Sequence, residues 1–573
     1  MKTLKEAIKK ASKELGWEET QFGVEHPNDE SHGDYSTNIA LIVGKQRGEQ
    51  PRELAEKLVA EIRKDPIFVG NFEKVEVAGA GFINFWVTEA YLLSEMERAQ
   101  QAGYGKNENL KGQKTYVEYT DPNPFKEMHI GHLMSNTIGE SLARILEANG
   151  AEVKRACYQG DVGLHVAKSI WGWQKLFKEK NLDLQTMRSW SLKERQKLMG
   201  EAYAYGAGKY EEEEVAKQEM QTLNQEIYEG LSGGKGEKSE VMELYWEGRK
   251  WSLEYFEVIY QRLGTKFDEY YFESEAGPVG LKVVEEGLTK KVLEVGEEGA
   301  VIYRGEKDGL HTRVFRSKLG LPTYEAKDLG LAKTKEERFK YDKSYIITAN
   351  EIDEYFKVVL KVMEQLYPGL RAKTTHLSHG MMKLVSGKMS SRTGKVVTGE
   401  GLLNELKEVV IAKMGEREIV EREKIADQVA VGSLKYMVLK QDVGGDIIYE
   451  PEKMTNLEGN TGPYLQYTYA RAMSVLKKAG TIKGKEENLE LNPEEEVIAR
   501  WLYRYPEVVE EAGESLKPSV IATYVNELAS RFNSFYNKHQ IVGSEGRVVM
   551  TKAVANVIYS GLGLLGIEAP REM

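Results

Sequence analysis

The sequence predicts a multidomain α/β protein, and three observations support this prediction. Its 573 residues are enough for about two to four domains, each with a core of its own. The hydrophobic pattern changes along the chain, from short helices and alternating strands, through a βαβ pattern, to an almost entirely helical C-terminal part. The composition, with 41% hydrophobic and 29% charged residues, is that of a folded globular protein.

Residues 1–110 form the first predicted unit, a small α+β domain. Apolar residues recur at helical spacing in 3–15 and 51–64, and they alternate with polar residues in 74–79 and 82–88. These patterns predict two amphipathic helices and two strands joined by a glycine-containing turn. A linker rich in Gly, Asn and Lys follows and predicts the boundary to the next domain.

Residues 111–405 form the predicted central domain, which opens with a βαβ pattern. A β-rich run at 115–119 leads through Asp-Pro-Asn-Pro into a helical pattern at 131–148, and a second strand pattern follows at 153–158. Such a unit indicates an α/β sheet with parallel strands. A charged stretch with helical periodicity predicts an insertion at about 180–300, after which strand and helix patterns resume.

Residues 406–573 are predicted to form a helical stem followed by an all-α C-terminal bundle. From residue 424 onward, aromatic residues and leucines recur at i, i+3 and i+4 spacing, which is typical of packed amphipathic helices. The sequence contains no internal repeat and no low-complexity tract.

Charge and cysteine content limit the classes of function. The 79 basic and 90 acidic residues give a net charge of −11, which argues against a protein that coats nucleic acid through bulk charge. A local basic surface for one folded RNA stays possible. Cys157 is the single cysteine, so neither an internal disulfide nor a Cys-rich zinc knuckle is expected. Without a signal-peptide pattern or an apolar run of about 18 residues, we expect a cytoplasmic protein that does not span a membrane.

The first segment with chemical content, residues 121–133, reads DPNPFKEMHIGHL and lies between a predicted strand and a predicted helix. A helix N-terminus offers free N–H groups and a positive dipole to phosphate. His129 and His132, three residues apart, project from one side and can donate hydrogen bonds to phosphate oxygens. Gly131 lets the backbone approach a nucleotide because it has no Cβ. The alternative is a helix cap with two surface histidines.

The second segment, residues 386–398, reads SGKMSSRTGKVVT. Lys388, Arg392 and Lys395 lie among glycines and hydroxyl side chains, which predicts a mobile cationic loop. Such a loop can close over a triphosphate and stabilise the charge that develops on leaving pyrophosphate. Taken alone, a basic loop of this kind is more often a solvated turn.

The two segments in this order, HIGH at 129–132 and KMSSR at 388–392, resemble the two signature sequences of class I aminoacyl-tRNA synthetases. The resemblance implies a Rossmann-like catalytic domain split by an insertion, with ATP and Mg²⁺ between the signatures and no zinc. It implies catalytic roles for His129, His132 and Lys388. The residues expected to bind ATP are Gly131, His379, Met382, Lys388, Ser390, Ser391 and Arg392. Ser391-Arg392 departs from the usual end of the second signature, whereas its first lysine is retained.

Other stretches resemble arginyl-tRNA synthetases among the members of this class. They are VEYTDPNP at 117–124, PTYEAKD at 322–328, GNTGPYLQY at 459–467 and LGIEAP at 565–570, together with HGDY at 32–35 and GFINF at 81–85 of the N-terminal domain. The resemblance implies an ATP-dependent ligase that activates L-arginine and attaches it to its tRNA. It also implies that the N-terminal domain is an accessory domain that contacts tRNA.

By the same resemblance, the arginine-binding residues are Glu118, Asn123, Tyr324, Asp328, Asn350 and Glu351. A guanidinium prefers planar, bidentate carboxylate partners, and Tyr324 and Asp328, four apart in a helical segment begun by Pro322, share one face. Asn350 and Glu351 stand where a glutamine of the family is expected, and the sequence leaves open which of them faces the substrate. The alternative is that Tyr324 and Asp328 are an ordinary exposed pair on a helix.

The helical C-terminal region resembles the anticodon-binding bundle of the same family. Tyr467 and Arg471, four apart, are expected to stack on bases and contact phosphates. Phe82 and Asn84 of the N-terminal domain are expected, by analogy with the family, to contact the tRNA elbow. For any single aromatic residue in these regions, a packing role is the more frequent one. The expected partners are therefore arginine and its tRNA, bound by a monomeric protein.

Two other functions are compatible with parts of the sequence. One is a smaller nucleotidyl-transferring enzyme with the same H-x-G-H signature, although such enzymes need no helical tail of this length. The other is a non-catalytic tRNA-binding relative, which has no use for His129, His132 and Lys388 on both sides of a nucleotide.

Overall fold

The computed structural model of the chain describes residues 2–17, 20–233, 238–384, 398–415, 420–480 and 490–573. The second signature segment, apart from Thr398, lies outside these residues, and so do Lys388, Ser390, Ser391, Arg392 and Lys395. What the sequence predicts for these side chains therefore stays a prediction. None of the helices in the described ranges is both long and apolar enough to cross a membrane.

The N-terminal part is an α+β unit around an antiparallel sheet. Its elements are α1 (Lys2–Glu14), β1 (Val24–Glu25), β2 (Tyr35–Thr37), α2 (Ile39–Arg47), α3 (Pro51–Ile62), α4 (Pro66–Asn71), β3 (Phe72–Ala78), β4 (Phe82–Val87) and α5 (Glu89–Arg98). The strands lie in the order β1-β2-β4-β3, and the apolar faces of α1 and α3 pack with them in one core. The predicted helices and strands are present with ends shifted by at most two residues, whereas the shorter elements beside them escaped prediction.

The central part is an α/β domain. In chain order, its elements are β5 (Lys114–Glu118), α6 (Ile130–Ala148), β6 (Glu152–Gln159), α7 (Leu164–Lys180), α8 (Leu184–Arg188), α9 (Leu192–Glu212), α10 (Glu214–Leu231), α11 (Glu240–Arg262), β7 (Glu269–Phe272), α12 (Glu273–Thr289), β8 (Glu294–Val295), β9 (Val301–Tyr303), β10 (Arg313–Arg316), α13 (Tyr324–Arg338), β11 (Lys343–Ala349), α14 (Asp353–Leu366), α15 (Pro368–Lys373) and β12 (Thr374–His379). The predicted βαβ unit is confirmed as β5, α6 and β6.

The main sheet is parallel, with strands in the order β12-β11-β5-β6-β7. Because the strands run in the same direction, their carboxyl ends meet at one edge. From β5 the chain continues to β6 on one side, whereas β11 pairs with β5 on the other side, so the strand order reverses at β5. Ligands of open α/β sheets bind in the crevice at such a reversal. The topology therefore directs attention to the residues that follow β5.

The helical insertion is shorter than the sequence predicts. Helices α7 to α11 form a subdomain whose own core includes Trp173, Tyr245 and Trp251. Strand β7 lies inside the range predicted as insertion, and it pairs in parallel with β6. The insertion therefore ends at α11, and a small antiparallel sheet of β8, β9 and β10 follows α12. A strand as short as β7 has too few residues for its periodicity to be separated from that of neighbouring helices.

The C-terminal part is helical, as predicted, apart from one short strand pair. Its elements are β13 (Met382–Leu384), α16 (Gly399–Met414), α17 (Arg422–Leu439), β14 (Ile447–Tyr449), α18 (Pro451–Met454), α19 (Gly462–Ala479), α20 (Pro493–Ser515), α21 (Pro518–Lys538) and α22 (Glu545–Leu564). One continuous apolar cluster contains residues of α6, α17, α19 and α22, so this bundle packs directly on the central domain. Ala499 and Tyr503 of α20 belong to the core of the N-terminal unit.

Candidate active site

Helix α6 begins with the first signature, whose histidines cap the helix. Nδ1 of His129 accepts a 3.1 Å hydrogen bond from the backbone N–H of Gly131, and Nδ1 of His132 accepts one of 3.1 Å from the N–H of His129. The two rings stack with their centroids 3.8 Å apart. A Cβ on Gly131 would lie 2.9 Å from Cε1 of His129. The glycine is therefore needed to make room for the folded-back ring of His129, in addition to the room for a nucleotide that the sequence predicts.

These capping hydrogen bonds determine which ring nitrogen carries the proton. Because Nδ1 is an acceptor in both histidines, the proton of each neutral ring sits on Nε2. Loss of surrounding water lowers the pKa of His129, and the charge of Lys126 lowers it further. Loss of surrounding water also holds the pKa of His132 well below its usual value, and the charges of His129 and Lys126 lower it further. Two neutral rings therefore present Nε2–H donors at a helix N-terminus, where phosphate oxygens bind.

The chain returns to the first signature directly after the second. Thr398, the last residue of the second segment, forms an antiparallel bridge with His129. The N–H of the following Gly399 donates a 2.7 Å hydrogen bond to the carbonyl of Met128. The C-terminal end of the second segment therefore lies against the histidine that begins the first.

His379 is the last residue of the edge strand β12, and Met382, three residues later, begins β13. Nδ1–H of His379 donates a 2.7 Å hydrogen bond to the Gly380 carbonyl, so Nε2 is an acceptor. The residue is 2% exposed, and within the described chain this Nε2 has no hydrogen-bond partner. Burial lowers the pKa of His379, which keeps the ring neutral. Met382 is buried in the apolar cluster that also contains α6. A buried acceptor without a donor indicates a ligand that carries N–H groups.

Acidic side chains surround Asp328 of α13. Its Oδ2 accepts a 2.6 Å hydrogen bond from the Tyr355 hydroxyl. Burial raises the pKa of the Asp328 carboxyl to about 8, although the Tyr355 hydroxyl lowers it. The carboxylates of Glu118, Glu273 and Glu325 raise this pKa further. The excess of negative charge is what a cationic ligand would neutralise.

Tyr324, Asn350 and Glu351 are three further residues predicted to bind arginine. Tyr324 is the first residue of α13, one turn before Asp328, and it is 57% exposed. Asn350 and Glu351 form a short 3₁₀ turn at the carboxyl end of β11, and both are exposed. The structure therefore brings them to the predicted edge, and both side chains are open to solvent there.

Glu118 and Asn123 approach the cluster from β5 and the loop that follows it. Glu118 is buried, and its Oε2 accepts a 2.6 Å hydrogen bond from Lys335. One oxygen of this carboxylate is therefore already paired. The amide of Asn123 packs against Gly160, where a Cβ would lie 2.1 Å from Oδ1 of Asn123. Glycine directly after β6 is what leaves room for this side chain.

Several polar side chains at the same edge were missed by sequence reasoning. Asp121 accepts a 2.7 Å hydrogen bond from the N–H of Tyr158. Burial holds the pKa of Asp121 well above its usual range, and the negative charge of Glu118 raises it further. The Tyr158 hydroxyl is buried and has no hydrogen-bond partner among the described residues. Glu273 and Lys327 form a buried ion pair of 2.6 Å. Strand position is the signal for Tyr158 and Glu273, because they lie at the carboxyl ends of β6 and β7.

The predicted RNA-contacting pair of α19 forms one partly buried face. The guanidinium of Arg471 lies 4.8 Å from the ring centroid of Tyr467 and 5.0 Å from that of Tyr536. It also donates a 2.7 Å hydrogen bond to Oδ1 of Asn533. A cation beside two aromatic rings on an accessible face is suited to stacking on bases and to contact with phosphates.

The predicted N-terminal pair is divided by the structure. Phe82, the first residue of β4, is 39% exposed and offers its ring to a partner. Asn84 is 4% exposed, and its Oδ1 accepts a 2.8 Å hydrogen bond from the Ser36 hydroxyl. Because β4 is an interior strand flanked by β2 and β3, neighbouring side chains cover Asn84. A direct contact of Asn84 with tRNA is therefore contradicted by its position.

Family models match almost the whole chain. Residues 95–450 match a model described as tRNA synthetases class I (R), catalytic domain. Residues 465–573 match a DALR anticodon binding domain, and residues 2–87 match an arginyl tRNA synthetase N terminal domain. The parallel sheet, the histidine pair at the start of α6 and these matches define a class I aminoacyl-tRNA synthetase.

Similar proteins narrow the class. A protein of Fusobacterium nucleatum named arginine–tRNA ligase is 32% identical over 558 residues, which cover 95% of this chain and 94% of that protein. One of Bacteroides fragilis with the same name is 31% identical over 578 residues and covers 94% of each chain. The solved Thermus thermophilus arginyl-tRNA synthetase has the same fold, with a TM-score of 0.81, 24% identity and full coverage of both chains. The chain belongs to the arginyl-tRNA synthetase family.

Proposed function

We propose that the chain activates L-arginine with ATP to arginyl-adenylate and pyrophosphate, and then transfers arginine to the 3′-terminal ribose of its tRNA. One observation carries the proposal: a single sheet edge holds two neutral histidine donors and a buried carboxyl group, Asp328, whose pKa is raised by burial and by neighbouring carboxylates. The histidine donors suit phosphate oxygens. The carboxylate suits a cationic amino acid. Family membership makes the chain an ATP-dependent aminoacyl-tRNA ligase.

The first step needs neither a covalent nucleophile nor a general base of the protein. The arginine carboxylate attacks the α-phosphate, and pyrophosphate leaves, so catalysis consists of positioning and charge stabilisation. His129 and His132 would donate their Nε2–H groups to oxygens of the α-phosphate, next to Gly131. Nε2 of His379 would accept a hydrogen bond from the adenine amino group, beside Met382. In the second step the terminal ribose hydroxyl of the tRNA attacks the adenylate carbonyl.

The acidic cluster would select arginine. Asp328 would pair with the guanidinium, with the ring of Tyr324 beside it and Glu118 within the same cluster. Asn123 would meet the α-amino or carboxylate end of the substrate, and Asn350 or Glu351 would close the rim. A shorter or neutral amino acid would leave buried carboxylates unpaired, which disfavours it by a factor of about 10⁴.

The second signature would hold the β- and γ-phosphates through Lys388, Ser390, Ser391 and Arg392. The bridge between Thr398 and His129 supports this role, because it brings one end of the segment to the first signature. ATP would enter as its Mg²⁺ complex. We propose no zinc, because a single cysteine cannot form a Cys-rich zinc site, and we derive no step through a protein-bound ion.

Lys388→Ala is expected to lower the rate of arginine activation by about 10², because a charge opposite the leaving pyrophosphate is lost. Arginine should still bind, since this lysine is proposed to bind the phosphates of ATP and not arginine. Pyrophosphate exchange and equilibrium binding of arginine measure the two effects separately. Loss of arginine binding with an unchanged exchange rate at saturation would contradict the assignment.

Tyr467 and Arg471 are proposed to contact the anticodon loop, and Phe82 the tRNA elbow. Arg471 and Tyr467 of α19, partly buried beside Tyr536 of α21, and the exposed ring of Phe82 support these contacts. The net charge of −11 means that such contacts must be local, so affinity for tRNA should fall as salt concentration rises. Cytoplasmic location and a monomeric state complete the proposal.

Incubation with ATP, labelled pyrophosphate and each amino acid, with and without bulk tRNA, tests the proposed function. Exchange and charging that depend on arginine are the expected result. Charging with a different amino acid would reject arginine as the substrate. Binding of tRNA without any turnover would favour a non-catalytic relative instead.

A further inference from the structure

A buried lysine of the stem holds together parts of the chain that are distant in sequence. Nζ of Lys435, in α17, donates a 2.6 Å hydrogen bond to the carbonyl of Leu263, directly after α11. It donates a second bond of 2.7 Å to the carbonyl of Gly566, in the turn that follows α22. Lys435 is 0% exposed. One amine therefore joins the catalytic domain to the end of the anticodon-binding bundle.

The last residues of α22, just before that turn, are also held from α6, the helix that begins with the first signature. Ser141 donates a 2.9 Å hydrogen bond to the carbonyl of Leu564, and Arg144 donates one of 3.1 Å to the carbonyl of Gly563. The other terminal nitrogen of Arg144 donates a 2.8 Å bond to the carbonyl of Gly264. Lys435 and Arg144 thus bind the same two segments, which are the C-terminal end of α22 with the turn after it and the two residues directly after α11.

Both clamped elements lead to the proposed active site. Helix α6 carries His129 and His132 at its N-terminus. On α11, the hydroxyl of Ser252 accepts a 2.9 Å hydrogen bond from the N–H of Phe125, in the loop just before those histidines. Glu140 of α6 accepts a hydrogen bond from Tyr119, the residue that follows Glu118. A shift of either helix would move the donors that surround the ATP.

The helix that carries the proposed RNA face also binds this part of the chain. Gln466 of α19, adjacent to Tyr467, donates a 2.7 Å hydrogen bond to the carbonyl of Glu568, two residues beyond Gly566. The segment from Gly563 to Glu568 therefore accepts hydrogen bonds both from the proposed RNA-contacting helix α19 and from the signature helix α6.

A lysine in this position is costly. Burial lowers the pKa of Lys435 to about 7, and the charge of Arg144 lowers it further, whereas Glu140 and Glu568 raise it. An apolar side chain of similar length would fill the same space without desolvating an amine. The protonated and the neutral amine both have enough N–H groups for two hydrogen bonds, so the clamp does not depend on the charge state. What the lysine adds beyond packing is the connection between the two carbonyls.

We propose that Lys435 is a positioning residue of the aminoacylation reaction, which transmits occupancy of the RNA face to the ATP site by clamping the turn after α22 against α11. Ser141 and Arg144 complete this clamp from α6. The inference rests on the proposed positions of the RNA face and of the ATP site.

The test compares Lys435→Met with Arg422→Met. Arg422, also in α17, is partly buried and donates to the carbonyls of Ile411 and Gly415, both within the stem, so it is a matched two-carbonyl donor control that crosses no domain boundary. The measurements are arginine-dependent pyrophosphate exchange with full-length tRNA and with an acceptor-stem minihelix, the KM for arginine, and the melting temperature. In the parent protein, exchange should be faster with full-length tRNA than with the minihelix.

Lys435→Met should lower kcat for exchange with full-length tRNA by about tenfold and remove its advantage over the minihelix, with the KM for arginine unchanged within about twofold. Arg422→Met should keep the advantage at a comparable loss of melting temperature. The inference is overturned if Lys435→Met keeps the advantage, if Arg422→Met loses it equally, or if the parent protein shows none.

Ser141→Ala removes a single hydrogen bond of the clamp, and it provides a milder second test of the inference if Lys435→Met does not fold. It should reduce the advantage of full-length tRNA by about twofold to threefold, and an unchanged advantage in a folded Ser141→Ala protein counts against the clamp. His132→Ala separates the two proposals. Full exchange activity in that variant would refute the position of the ATP site, whatever Lys435 does.

Discussion

The phosphate end and the arginine end of the candidate site are organised in opposite ways. At the start of α6, His129 and His132 satisfy their Nδ1 atoms within the helix cap, so two Nε2–H donors are oriented before any ligand arrives. Around Asp328 the carboxylates outnumber their cationic partners, and the pKa of this side chain rises to about 8. One end is preorganised, whereas the other is completed only by a cationic ligand.

The largest effect should come from the preorganised end. His132→Ala removes one donor and also the acceptor that holds the N–H of His129, so kcat for activation should fall by about 10² to 10³. The KM for arginine should change little, since the acidic cluster is untouched. His311→Ala, an exposed histidine after β9, is the control and should leave exchange unchanged. A rise in the KM for arginine without a loss of kcat would show that the two ends are not separate.

At the arginine end, the expected effect is on binding. Asp328→Asn keeps the shape of the side chain but removes its charge, and the KM for arginine should rise by about 10². Asp308→Asn is a matched control, because Asp308 also accepts a hydrogen bond from a tyrosine hydroxyl, that of Tyr303, on an exposed side chain away from the sheet edge. Steady-state exchange at varied arginine concentration measures both. Equal KM values for the two variants would remove Asp328 from the pocket.

The two ends also differ in how much of them the sequence predicts. His129 and His132 lie within one helical turn, so a contiguous motif determines their relative position. Tyr158, Glu273 and Asp328 come from β6, α12 and α13, and no local pattern relates these elements. Their proximity follows from strand order, which becomes visible only in the folded sheet.

The same distinction applies to the fold. The long periodic α6 and the helices from residue 424 onward could be predicted, because their patterns extend over several turns. The four residues of β7 could not be predicted, since they join the sheet only through β6. Asn84 is a similar case, because its burial depends on the neighbouring strands β2 and β3 rather than on its own segment.

Because the arginine end of the site contains a carboxyl group with a raised pKa, the affinity for arginine should depend on pH. The pKa of the Asp328 carboxyl is raised, so at pH 7 most of it is protonated, and a guanidinium binds the ionised form better. Affinity for arginine should therefore rise with pH, by about fivefold between pH 7 and pH 8, and level off above the pKa. Calorimetric titration across this range measures it, with Asp328→Asn expected to give a flat profile. A falling affinity over the same interval would contradict the assignment.

The smallest effect is expected at the proposed RNA face, which resembles the phosphate end of the site in being oriented before its ligand binds. Arg471 already stacks beside Tyr467 and Tyr536, so like the histidines it is oriented before its ligand arrives. Arg471→Ala should raise the KM for tRNA by about threefold to tenfold, with arginine activation at saturating tRNA unchanged. The slope of log affinity for tRNA against log salt concentration should become shallower by about one, which corresponds to the loss of one phosphate contact. Arg531→Ala is the matched control, because Arg531 lies 4.0 Å from the ring centroid of Trp501 in the same bundle. Equal effects on the KM for tRNA in the two variants would mean that Arg471 only packs its neighbours, and the RNA face would then have to be sought elsewhere on the bundle.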